Sequence, residues 1–115
     1  MEGANIYLIS SDKKPFEADL YFARKIKDIN VKEGLDVVFA RDLEKLPVLQ
    51  SYCSRYNIIT EELFADNLQE NYSYISNYVA RNPDKNTLAT LIKEEDKKNL
   101  YYLFDKHQAF DVVEV

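Results

Sequence analysis

One histidine, His107, and one cysteine, Cys53, bound the chemistry open to this 115-residue sequence. A zinc cluster needs several such side chains, and a thiolate nucleophile needs an imidazole held beside it, so neither is built from this inventory. Carboxylates are plentiful at Glu61-Glu62, Glu94-Glu95-Asp96 and Asp111. Their spacing lacks the convergence that a metal site or an acid–base pair requires, and they read as solvated faces. Two glycines, Gly3 and Gly34, exclude a glycine-rich phosphate loop. His107 lies in a charged segment and reads as a surface residue. Cys53 lies on an apolar helical face and reads as a small core residue. No catalytic, metal-binding or cofactor-binding residue is assigned, no cofactor is expected, and a binding module rather than an enzyme is the expected class.

The bulk properties narrow the partners. A net charge of −5 and a pI near 4.9 argue against nonspecific contact with nucleic acid or an anionic membrane. No apolar run approaches the roughly 20 residues that span a bilayer, and Met1-Glu2-Gly3-Ala4 has neither the basic nor the apolar region of a secretory signal. A lone cysteine forms no internal disulfide, which fits a reducing compartment. Nine Tyr and six Phe without Trp read mainly as core.

The elements that would position these residues come from periodicity. Alternation predicts two strands, 5–10 and 16–20, joined by the polar corner Ser10–Pro15. In that corner Asp12 is expected to hold the turn by accepting backbone N–H bonds, and Phe16 to anchor the returning strand in the core. Asp19 is expected to cap a helix over 20–29 that buries Phe22, Ile26 and Ile29, and Gly34 to stop it. LDVVFA, 35–40, reads as a buried strand. A helix over 42–56 would bury Leu46, Leu49, Cys53 and Tyr56, with Pro47 marking its first turn. Residues 57–73 read as an acidic linker inside a single domain, 1–115. A helical stretch after Pro83-Asp84 would show Leu88, Leu91 and Ile92 on one face and Leu100, Leu103 and Phe104 on a second. Phe16, Phe39, Leu46, Leu49 and Cys53 should then share one core. The expected fold class is α+β, a three-stranded sheet packed with helices and followed by a helical C-terminal half.

Five ordered pieces carry a family likeness. Ile6-x-Leu8-x-Ser10-Ser11-Asp12-x-x-x-Phe16-Glu17, with Ala23 beyond it, resembles the opening of the S-phase-kinase-associated adaptor and elongin C family, small BTB/POZ folds that bridge cullin scaffolds to substrate receptors in ubiquitin ligases. Val37-Val38-Phe39 is similar to the family's third strand, and Tyr52-Cys53-Ser54-Arg55-Tyr56 resembles its Tyr-Cys-x-x-His helix ending. Tyr74-x-x-x-Tyr78 is similar to its Trp-x-x-x-Phe, and Asp84-x-x-Thr87-Leu88-x-x-Leu91-Ile92 resembles its Asp-x-x-Thr-Leu-x-x-Leu-Ile. The resemblance implies a non-catalytic adaptor in cytoplasm and nucleus. It would hold an F-box or BC-box-type receptor through Leu88, Leu91, Ile92, Leu100, Leu103 and Phe104. It leaves homodimerisation open and involves neither nucleic acid nor membrane.

Two departures qualify what the likeness implies. Lys93-Glu94-Glu95-Asp96-Lys97-Lys98 stands where the family has an apolar run used against cullin, with Asp96 and Lys97 in place of its Asn and Tyr. Burying that many charges is costly, so weak cullin binding is expected. The sequence also closes at Val115, before the two further helices with which the adaptor clasps F-box motifs, which makes elongin C the nearer member in size. The alternative reading is a small acidic inhibitor or decoy that occupies a partner's basic surface.

Overall fold

A computed structural model describes residues 5–64, 66–91, 98, 99, 102 and 111–114. Strand β1, Asn5–Ser10, leads into helix α1, Pro15–Glu33, and then into β2, Val37–Ala40. A 3₁₀ turn at Leu43–Lys45 precedes α2, Pro47–Arg55, which is followed by β3, Ile59–Glu62. Helix α3, Leu68–Arg81, then returns the chain to β4, Thr87–Leu91, and β5, Asp111–Glu114, completes the sheet. The five strands lie in the order β3-β2-β4-β1-β5, and every pairing is parallel.

Parallel strands need long crossovers, and the helices provide them on both faces of the sheet. Tyr7, Ile9, Val38, Ala40 and Leu88 turn to one face, where they meet Phe22, Ile26 and Ile29 of α1 and Leu49 and Cys53 of α2. Ile6, Leu8, Val37, Phe39 and Ala89 turn to the other, against Tyr72, Ile75 and Val79 of α3. Burial on both sides is why β2 is continuously apolar rather than alternating. The mixed helix-and-sheet composition follows the expectation, as do the burial of β2, the start of α2 at Pro47 and the stop of α1 at Gly34. Gly34 adopts a φ of +77° as its N–H donates to the Asn30 carbonyl. That left-handed backbone suits a residue without a Cβ.

Several expectations are overturned. The sheet has five strands, not three, and two of them stand in the C-terminal half that was expected to be helical. Residues 16–20 form no hairpin strand; they are the first turns of α1. Pro15 sits at the N-terminal position that tolerates its missing N–H, and Glu17 lies in the acidic-favoured first turn. Phe16 consequently faces solvent, 73% exposed. The linker expected at 57–73 is largely ordered structure, since Ile59-Thr60 opens edge strand β3 and Asn67 caps α3 by accepting the N–H groups of Gln69 and Glu70. Thr87–Leu91 form β4 instead of the helix expected there, whereas Lys98, Asn99 and Tyr102 further on are helical as expected. An i, i+3, i+4 apolar spacing over so short a run fits either period, and burial on two faces favours the strand. The single core becomes two, with Phe39 on the α3 face and Leu46, Leu49 and Cys53 on the α1–α2 face.

Asp19 is the most consequential reassignment. It caps α2 from within α1, its two carboxylate oxygens accepting the Val48 and Leu49 N–H groups at 2.8 Å each, and it is buried. At the far end of α1, Asn30 Oδ1 accepts the Leu35 N–H, and Asn86 Nδ2 donates to the Glu33 and Gly34 carbonyls. Asp36 in turn accepts the Asn86 N–H and donates its own N–H to the Asn86 carbonyl. The two ends of α1 are thus tied to different parts of the chain.

Asp19→Ala leaves two buried N–H groups without acceptors and should cost about 2–4 kcal/mol in chemical denaturation, with Asp19→Asn losing clearly less. Thr87→Val should behave oppositely. Thr87 Oγ1 is buried without a hydrogen-bond partner, so the isosteric exchange should leave stability unchanged or raise it by about 1 kcal/mol in the same assay.

Candidate functional site

Of the residues assigned to the expected partner groove, the structure describes Leu88 and Leu91, and Leu88 is not available to a partner. Leu88 is fully buried in β4, against the α1–α2 core, and Leu91 is the last residue of that strand. Ile92, Asp96, Lys97, Leu100, Leu103 and Phe104 lie outside the described residues, as does His107. With Leu88 inside the sheet, no surface groove includes it.

The opening corner, Ser10–Pro15, is held differently from the expectation. Ser11 Oγ accepts the Lys13 N–H at 3.2 Å, while Asp12 is exposed. Ser10, Ser11, Asp12, Lys13, Glu17 and Tyr21 line a hollow of about 300 Å³ beside the carboxyl end of β1. Open parallel sheets commonly take ligands at that edge. Among the described residues, no group of three His, Cys, Asp or Glu side chains converges as metal ligands.

The outer face of α1 and α2 is the more developed surface. Phe16, Leu20, Arg24, Lys27 and Val31 recur at spacings of three, four and seven, and therefore lie along one arc of α1. All five are exposed, Val31 at 74%. The opposite arc carries the buried Ala18, Phe22, Ile26 and Ile29. Beside the outer arc runs α2, whose sequence PVLQSYCSR contains no carboxylate. Lys27 meets Pro47, Val48, Ser51, Tyr52, Arg55 and Tyr56 in an open groove of about 460 Å³. The Asp19 cap fixes the start of α2 against α1, and the Asn30 side-chain amide donates to Tyr52 Oη at 3.1 Å further along. The Tyr52 and Tyr56 rings lie 4.6 Å apart, with the Arg55 guanidinium 5.9 Å from the Tyr56 ring. Tyr56, expected in the core, is half exposed because it follows the last turn of α2. The groove is therefore apolar and aromatic with two cations on its rim, on a protein whose net charge is −5.

Periodicity could have found the α1 stripe, since Phe16, Leu20 and Val31 interrupt an otherwise polar face. The α2 side of the groove has no such signal, because only the packing of α2 on α1 brings Val48 and Tyr56 to Lys27. The site and fold together define the class: a small parallel-sheet domain with helices on both faces and a basic, aromatic helix–helix groove. No family model and no curated protein matches the chain. No helix among the described residues is long and apolar enough to cross a membrane.

Cys53, on the inner side of α2, is fully buried, and burial pushes its thiol up to about 11 from 9.0. The folded protein holds this proton while the unfolded chain releases it. Stability is therefore fully present below pH 9 and lost progressively as pH rises from 9 towards about 11. Cys53→Ala should flatten that alkaline decline in denaturation midpoints while lowering stability at neutral pH, and a thiol reagent should label the wild type only as fast as it unfolds.

Proposed function

We propose that this chain is a non-catalytic protein-binding module that docks an apolar, acidic segment of a partner on the outer face of α1 and α2. The observation that carries the reading is the groove where Val48, Tyr52 and Tyr56 meet Lys27 and Arg55. Large apolar side chains exposed together on one face mark an interaction surface more often than scattered ones do. Aromatic and arginine side chains are also the types that dominate binding energy at interfaces. Cations at the rim of an acidic protein select a partner segment carrying carboxylates, by steering its approach and penalising basic competitors.

The narrower adaptor reading, bridging a cullin scaffold to an F-box or BC-box receptor, is supported by the ordered sequence motifs. The BTB/POZ likeness has the same support. The five parallel strands weigh against both, because the likeness implied a hairpin through Phe16 and an exposed Leu88. The wider proposal does not need either.

Val48→Asp and Arg55→Glu, both at exposed positions, test the docking face without disturbing a core. Partners recovered by the wild type from native cells should be lost by about tenfold or more in affinity with each variant. They should be retained through 0.5 M salt, because the contact is mainly apolar and salt screens only its rim. Recovery that is insensitive to both substitutions but collapses with salt would instead favour the acidic decoy.

A further inference from the structure

The opposite side of the molecule has the reverse chemistry. From Asn57 to Ala80 the chain carries Glu61, Glu62, Asp66 and Glu70 and no Lys, Arg or His. The arginine that does reach this end of the sheet, Arg41 after β2, is paired with Asp66. Within this acidic region Phe64, Glu70, Asn71 and Tyr74 line a slot of about 240 Å³. Phe64 follows β3 and is 83% exposed, more than any other large apolar side chain among the described residues. Glu70 and Tyr74 are one turn apart on α3, so both reach the same side of it. Tyr74 Oη donates to Glu61 Oε1 at 2.8 Å, and this bond, with burial and the carboxylate charge behind it, raises the phenol above its ordinary range.

We infer that the slot between Phe64 and Tyr74 is a socket for an arginine guanidinium presented by a partner protein. Two accessible rings line the slot, and an aromatic face attracts a cation. Donation from Tyr74 to a carboxylate enriches its ring in electron density and so strengthens that attraction. Glu70 supplies the charge that a guanidinium would pair with. Aromatic lining favours the planar, weakly hydrated guanidinium, which stacks on rings, over the compact, strongly hydrated ammonium of lysine. Exposure of Phe64 has no use in packing, since its neighbour Leu63 fills the core position. The socket is independent of the α1–α2 docking face: it involves other elements, the other face of the sheet and a ligand of opposite charge.

The test is an NMR titration of the full chain with a blocked Gly-Arg-Gly tripeptide, its citrulline counterpart, and tetramethylammonium. Shifts for the arginine peptide should centre on Phe64, Glu70, Asn71 and Tyr74, with the uncharged citrulline peptide binding at least about fivefold more weakly. Phe64→Ala and Glu70→Gln should each weaken the arginine peptide about three- to tenfold while leaving distant resonances in place. Val48→Asp should have no effect on it. Equal binding of arginine and citrulline peptides, or shifts centred elsewhere, would overturn the assignment. Tighter binding of tetramethylammonium would replace the partner arginine with a small organic cation. Shifts at these residues that grow with protein concentration alone would show a second copy as the occupant.

Discussion

The Asp19 carboxylate is the constraint on which the α1–α2 side of the molecule depends. It is buried, it sits in the interior of α1, and both its oxygens accept N–H groups from the first turn of α2. A helix N-terminus has unsatisfied donors and a partial positive charge, and a carboxylate is the complement of both. Helix α2 lacks its own cap, since Leu46 precedes Pro47 and offers no side-chain acceptor. The cap is therefore supplied across the interface, and that fixes where α2 lies on α1. The Lys27–Tyr56 groove and the burial of Leu49 and Cys53 both follow from this placement. Asn30, Asp36 and Asn86 do the equivalent work at the other end of α1, joining its C-terminus to the start of β4.

The sheet separates two surfaces of different character. On the α1–α2 side, aromatic and apolar residues are bordered by Arg24, Lys27 and Arg55. On the β3–α3 side, aromatic residues stand among Glu61, Glu62 and Glu70. Phe39, buried in the sheet, stabilises the second side from below by edge-on contacts with Tyr74 and Tyr78, with ring centroids 5.7 and 5.3 Å away. A chain whose average charge is modestly acidic thus places cations around one groove and carboxylates around the other, and a partner at either would be selected by sign as well as by shape.

Much of the fold was legible residue by residue. The apolar run 35–40 announced a buried strand, and Gly34 and Pro47 announced a helix end and a helix start. Phe22, Ile26 and Ile29 recur at the helical period and are buried together. The misreadings cluster where two periods overlap. Phe16-Glu-Ala-Asp-Leu20 alternates like a strand, yet Pro15 and the long apolar register behind it select a helix. Thr87–Leu91 shows helical spacing over only five residues, too few for period alone to decide. The candidate site was half legible: the stripe Phe16, Leu20, Val31 can be counted along α1, whereas its complement on α2 cannot.

Composition and local pattern by themselves determined that this chain folds as a mixed helix-and-sheet domain with a single cysteine, an acidic balance and a buried second strand. They did so because burial of β-branched runs and the punctuation of Pro and Gly are local properties. The tertiary structure alone decided that the described strands all pair in parallel, that β4 lies between β1 and β2, and that Leu88 is interior rather than a partner contact. It also turned Asp19 from the cap of its own helix into the cap of the next one. The reason is that a carboxylate's spacing along the chain shows where it could cap, but only the packing of two helices shows which N–H groups come within 2.8 Å of it.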